Sequence, residues 1–267
     1  MRGSHASKQS CSHRRRRYFA RVTQSAARDR FCFLCIRAAA GGVSSEAAPM
    51  LVLTNIGKGG GGKTSTAINL AVVATSHGLT VGMLDADPQA SLCQWRGVRA
   101  SADIRVVPCG ASPVDEALRA ARRLQLDWLI IDTAPALGEN TLCAIRAADM
   151  VLIPMRPAVF DLGVTQRRVE TLRSMRRRFA IVLNSAPPRR EGLDSPIVRE
   201  AREALNEVGA RLWLGQITHR HSILTALIQG QGVAEAEPAG PAAAEYRRLW
   251  AAVANSASNS QTQRISA

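Results

Sequence analysis

The sequence predicts an α/β fold: a mostly parallel sheet with helices on both faces. Three observations predict it. From Met50 to Val253, short apolar runs of β-forming residues alternate with longer stretches of helical period. Most of those runs are apolar throughout rather than alternating, which is the pattern of strands covered on both faces. Several end in a Gly-rich turn, an Asp or an Asn, and the carboxyl edge of such a sheet is where ligands sit.

Taken in order, Leu51-Val52-Leu53 opens the sheet and Thr80–Leu84 is a second strand. Ile104–Val107 is a third, weaker one. Pro113–Leu126 reads as an amphipathic helix with Val114, Ala117, Leu118, Ala121 and Leu124 on one face. Trp128–Ile131 and Met150–Ile153 are buried strands, and Leu162–Arg178 is helical. Phe179–Leu183 is a strand, Ile197–Val208 a helix, Leu212–Ile217 a late strand, and Tyr246–Val253 a closing helix. Residues 50–254 therefore form one domain. Residues 255–267, rich in Ser, Asn and Gln, read as a flexible polar tail. Residues 1–49 read as a basic, disordered extension with Arg14-Arg15-Arg16-Arg17 and no sustained period. Its MRGSH opening resembles an expression tag, and its Arg- and Ser-rich composition resembles a transit peptide. Met50, directly before the first strand, marks it instead as sequence upstream of the true start, which is the preferred reading.

Of 267 residues, 46% are hydrophobic and only 4% aromatic, ordinary for one domain of about 200 residues with tails. No apolar run approaches the roughly 20 residues of a spanning helix, so a soluble, cytoplasmic protein without membrane contact is expected. Cys93, Cys109 and Cys143 fall in core segments and read as small hydrophobes. Cys32 and Cys35 have redox or metal spacing but no second pair to complete a zinc site. Net charge is +14, with ten Lys and Arg against two acids in residues 1–49, and the remainder is basic too. That balance favours a polyanionic partner.

The chemistry concentrates in Gly57-Lys58-Gly59-Gly60-Gly61-Gly62-Lys63-Thr64, which satisfies the phosphate-loop pattern G-x-x-x-x-G-K-[ST]. A backbone that wraps a triphosphate turns its N–H groups inward at dihedrals glycine tolerates cheaply. The next helix points its positive end at the phosphates. Lys63 is placed on the β and γ oxygens, Thr64 offers its hydroxyl to Mg2+, and Gly59, Gly60, Gly61, Gly62 and Ser65 complete the ATP cradle. A chance match in this chain has odds of about one in a hundred, before the flanking strand and helix are counted. Ile130-Ile131-Asp132 has the form of a strand-end carboxylate that holds Mg2+ through water. The fold is thus P-loop NTPase-like.

Lys58, a second lysine inside the loop, makes the stretch K-G-G-x-G-K-T resemble the deviant loop of the ParA/MinD family of dimeric ATPases. Asp85-Ala86-Asp87-Pro88-Gln89 resembles that family's second nucleotide motif, and Ile153-Pro154-Met155-Arg156-Pro157 through Asp161 resembles small plasmid-type partition members. Ile217-Thr218-His219-Arg220 resembles their I-T-x-R segment. The resemblance spans Met50 to Val253, with one departure: Gly57 stands as an extra residue between Asn55 and Lys58. It implies that Lys58 reaches a partner subunit's nucleotide and that Asp87 positions the attacking water. It further implies that Asp85 supports the Mg2+ shell and that Asn184, after Ile181-Val182-Leu183, contacts adenine.

The implied function is an ATPase for DNA partition, in plasmid or chromosome segregation. It would dimerise on ATP, bind DNA without sequence preference at the nucleoid, and turn over weakly until stimulated by a ParB-like centromere-binding protein. Arg167, Arg168, Arg173, Arg176, Arg177 and Arg178, with Arg189 and Arg190, are the candidate phosphate contacts. The runner-up is a MinD-like or other regulator that positions a protein complex, or a degenerate ATPase. A membrane-surface regulator is disfavoured because SASNSQTQRISA has no apolar face. An iron–sulfur ATPase is disfavoured because no Cys follows Cys143. A small-molecule amidating or kinase-like enzyme fits poorly with Lys58 and the D-x-D-P-Q motif.

Overall fold

The computed structural model describes residues 50–109 and 113–265. The expectations for residues 1–49, including Cys32 and Cys35, lie outside the described residues. In chain order the elements are β1 (Leu51–Asn55), α1 (Lys63–Ser76), β2 (Val81–Ala86), α2 (Ser91–Val98) and β3 (Arg105–Pro108). There follow α3 (Val114–Ala121), β4 (Trp128–Thr133), α4 (Glu139–Ala147), β5 (Met150–Met155) and α5 (Val159–Ser174). Then come β6 (Phe179–Leu183), α6 (Pro196–Glu207), α7 (His221–Ile228), α8 (Val233–Ala236) and α9 (Pro241–Ile265). The strand order is β3-β2-β4-β1-β5-β6 and every pair is parallel. The register sets Asp85 of β2 opposite Asp132 of β4, and Asn55 of β1 on the other side of Asp132.

Alternation along the strands sorts the core into two layers. Leu53, Met83, Ile130, Leu152 and Val182 face α1 and α9, where Leu70, Val73, Tyr246, Leu249 and Val253 pack on them. Val52, Leu84, Leu129 and Ile131 face α3 and α4, while Val151, Ile153, Ile181 and Leu183 face α5 and α6. β2, β4 and β5 are buried along their full length, as uninterrupted apolar runs demand. Each such aliphatic side chain contributes about 1.5–3 kcal/mol by leaving water.

The expected elements are present except the late strand, several end at other residues, and α2, α4, α7 and α8 are helices not among those expected from the sequence. The helix expected over Pro113–Leu126 stops at Ala121, because the chain tightens there and Leu126 turns inward over Gly82. Any Cβ at Gly82 would stand 2.6 Å from Leu126 Cδ1. The late strand expected over Leu212–Ile217 is not a ladder. Trp213 N donates to Ile181 O and Ile217 N to Leu183 O, but Leu214 between them is 84% exposed. Two isolated bridges, Ile181 with Leu212 and Ala186 with Thr218, replace the strand. The last helix begins at Pro241 and continues to Ile265, so the backbone is helical across residues expected to be frayed tail. Cys109 is buried, whereas Cys93 and Cys143 are half-buried.

Candidate functional site

All six strands run the same way, so their carboxyl ends meet at one edge. The loop between β1 and α1 lies there, against β5. Gly61 N donates to Lys58 O at 3.2 Å, closing a turn, and Gly62 O accepts the first bond of α1 from Thr66 N at 2.9 Å. Gly62, the residue capping α1, has φ +91°, and an added Cβ would collide with the Asn184 side-chain amide. At Gly61 an added Cβ would come within 2.7 Å of Pro154 O. These two glycines let the loop lie flat on β5 and β6. The first turn of α1 carries no acidic residue and no side-chain cap, so its amides keep their affinity for an anion. The extra Gly57 lies where the chain leaves β1, beside Pro154 O, and the turn from Lys58 to Gly61 follows it.

The two lysines of the loop occupy different environments. Lys63 is 6% exposed, and burial lowers its pKa while Asp132 and Asp87 oppose that shift. Lys58 is 41% exposed at the rim, and its Nζ lies 2.9 Å from Oδ1 of Asp161, whose side chain is 2% exposed. Arg156 Nε approaches the other oxygen of Asp161 at 3.4 Å. Burial favours the protonated form of Asp161, yet the hydrogen bond and charge of Lys58 hold its pKa below the usual carboxylate range.

Thr64 Oγ1 donates to Asp132 Oδ2 at 2.5 Å. Asp132 is fully buried; desolvation pushes its pKa up to about 7, with Asp85 and Asp87 adding to the rise. Its Oδ1 is buried with no hydrogen-bond partner among the described residues. A buried carboxylate oxygen without a donor, beside a threonine hydroxyl and a phosphate loop, fits a hard cation such as Mg2+. Asp85 is also buried, and desolvation raises its pKa, but its oxygens accept backbone N–H groups of Cys93 at 2.8 Å and Asp87 at 3.2 Å. It thereby anchors the start of α2 and the turn that carries Asp87. Asp87 is half-exposed, and its Oδ1 accepts from Gln89 N at 2.9 Å.

Asn184 is buried, and its Nδ2 donates to Gly61 O at 2.9 Å. In this structure it braces the phosphate loop. Ser65 is half-buried on α1, its carbonyl accepting from Asn69 Nδ2, while Gly59 and Gly60 are exposed at the loop's tip. Two residues with no role assigned from sequence belong to the site. Asn55 is buried and donates to Lys63 O at 3.3 Å, and Asp161 holds Lys58. Asp161 lies in the first turn of α5, just after β5, but no local spacing signals its pairing with Lys58.

The arginines divide. Arg168 is corrected: it is 7% exposed and donates to Pro135 O at 2.7 Å and Val164 O at 3.2 Å, so it is a structural cation beside Lys63 rather than a surface contact. The helical stagger that shows Arg167 to solvent turns Arg168 inward. Arg173 is exposed but donates to Val208 O and Gly209 O. Arg167 and Arg176 are exposed, Arg177 and Arg178 half-buried. Arg189 pairs with Asp194 at 2.6 Å, and Arg190 is exposed.

A parallel sheet in this order, with a glycine-rich loop capping α1 and carboxylates ending β2 and β4, defines a P-loop nucleotide-binding protein. Residues 52–233 match the family described as the CobQ/CobB/MinD/ParA nucleotide binding domain. The chain is 27% identical over 212 residues to the maintenance of carboxysome distribution protein A of Halothiobacillus neapolitanus, covering 76% of this chain and 94% of that one. It is 30% identical over 211 residues to the protein of that name from Gloeobacter kilaueensis, covering 77% and 94%. With the chromosome-partitioning ATPase Soj of Thermus thermophilus it shares 28% identity over 227 residues, covering 72% and 90%. Among solved structures, apo McdA from Cyanothece superposes with TM-score 0.63 at 22% identity, covering 75% and 97%. MinD with Mg-ADP from Pyrococcus horikoshii superposes with TM-score 0.63 at 17% identity, covering 77% and 96%. The chain belongs to the ParA/MinD superfamily of ATPases.

Proposed function

We propose that this protein is an ATP-dependent positioning ATPase of the partition type. Two copies clasp ATP, the dimer binds DNA without sequence preference on the nucleoid, and a partner protein of the ParB kind stimulates an otherwise weak hydrolysis that resets the cycle. The observation that carries the reading is the division between the two loop lysines. Lys63 is buried under the loop and serves its own triphosphate. Lys58 is at the exposed rim, paired with Asp161, where a second subunit's triphosphate is the natural acceptor. Lys58 exchanges Asp161 for that phosphate when the dimer closes.

The residues divide the chemistry. The α1 amides and Lys63 bind the phosphates and Asn184 holds Gly61 in place; Asp87, half-exposed beside them, orients the attacking water. Thr64 and Asp132 would hold Mg2+, which would supply charge to offset that of the phosphates. Asp85 keeps Asp87 in position through the N–H of Asp87.

The cargo of this reading is a DNA replicon. A second reading, a protein assembly as cargo, is favoured by the two carboxysome distribution proteins among the relatives. Both share the DNA-bound ATP dimer. The test is binding to non-specific duplex with ATP and with ADP across a salt series. The proposal expects binding with ATP only, weakening by about a thousandfold from 50 to 200 mM salt if roughly six phosphates are contacted. Binding indifferent to nucleotide, or flat in salt, contradicts it.

A further inference from the structure

At the amino-terminal ends of β5 and β6, opposite the phosphate loop, two adjoining clefts of about 310 and about 330 Å3 share Arg178, Phe179 and Arg211. The first has an apolar floor in which Leu152, Leu212, Leu249 and Val253 take part. The second is rimmed by Arg173, Arg176 and Arg177 as well. No Asp or Glu lines either cleft among the described residues. The backbone fixes this rim: α5 ends at Ser174, Arg176 takes φ +52°, and Arg173 is tied to Val208 O at 2.8 Å and Gly209 O at 2.7 Å. Arg177 Nε is buried with no hydrogen-bond partner among the described residues.

Arginines set around an apolar hollow ask for an acceptor that brings its own hydrophobic group. Duplex phosphates would satisfy the guanidinium groups but offer nothing to Leu249 and Val253. The chain's own residues 1–49, with ten Lys and Arg against two acids, would be repelled. We propose that this composite cleft docks a short acidic segment of a partner protein. Its carboxylates meet Arg176, Arg177 and Arg211, and one large apolar side chain fills the hollow beside Ala252. The proposal deepens the partner half of the positioning reading by giving that partner a chemistry. It needs neither ATP nor a dimer, so the two fail separately. Because Arg176 and Arg177 are also offered to DNA, the segment and duplex exclude each other there.

The probe is a fluorescein-labelled Glu-Glu-Leu-Trp-Glu-Glu peptide, titrated by anisotropy against the full chain without nucleotide. Saturable binding is expected, weakened about tenfold or more by Arg211→Glu, by Ala252→Trp, and by replacing Leu-Trp of the probe with Gly-Ser. Thermal unfolding of each variant confirms that it is folded. Duplex affinity should fall with Arg176→Glu yet stay within about twofold in Ala252→Trp. Absence of probe binding, or binding indifferent to Ala252→Trp, overturns the proposal. A parallel loss of duplex affinity in Ala252→Trp assigns the cleft to nucleic acid and overturns it as well.

Discussion

Gly62→Ala tests the packing of the phosphate loop independently of any assay of function. The residue sits at φ +91°, where a side chain costs about 1–2 kcal/mol. Its new Cβ would take the place of the Asn184 amide, which now donates to Gly61 O at 2.9 Å. Driving that amide out breaks the bond and leaves a buried carbonyl unpaired, a loss of about 1–3 kcal/mol. The single substitution should therefore destabilise the protein by about 2–5 kcal/mol. In an Asn184→Ala background the amide is already gone, and only the backbone strain of about 1–2 kcal/mol remains. Urea unfolding of the four nucleotide-free proteins measures the cycle. A coupling of about 1–3 kcal/mol is expected, and effects that add to within about 0.5 kcal/mol would refute the contact.

Three further outcomes are expected. Lys63→Ala should weaken ATP binding by about a hundredfold in calorimetry, since a buried cation on phosphate contributes roughly 1.5–3 kcal/mol; unchanged affinity would remove Lys63 from the site. Asp87→Ala should still bind ATP but release phosphate at a small fraction of the normal rate, leaving a long-lived dimer; steady-state turnover at the wild-type rate would exclude Asp87 as the water-orienting group. Arg99 is buried and bonded to Asp103, Glu235 and Gly230 O, tying α2 to α8. With both carboxylates about one-third exposed, Arg99→Ala should cost about 2 kcal/mol in urea unfolding, and a change below about 0.5 kcal/mol would show that this hub is dispensable.

The sheet and the phosphate loop were legible because their signals are local. Gly62, Lys63 and Thr64 carry their pattern within a few residues of β1, and Asp132 ends its own apolar run. What was not legible depends on contacts far apart in the chain. Lys58 finds Asp161 across 103 residues, and Asn184 reaches Gly61 across 123. Arg168 looked like one of a surface cluster because composition cannot tell which side of α5 faces Pro135. The segment from Leu212 to Ile217 has the apolar content of a strand, but Gly215 packs against the Trp213 ring and Leu214 turns outward, breaking the ladder that propensity implied.

The direct test is sedimentation velocity of the wild-type chain and of Lys58→Ala with Mg-ATP, Mg-ADP and no nucleotide. A dimer is expected only for the wild type with ATP, while Lys58→Ala still binds ATP but sediments as a monomer. A wild-type monomer under saturating ATP, or a Lys58→Ala dimer as stable as the wild type, would contradict the crossing of this lysine between subunits.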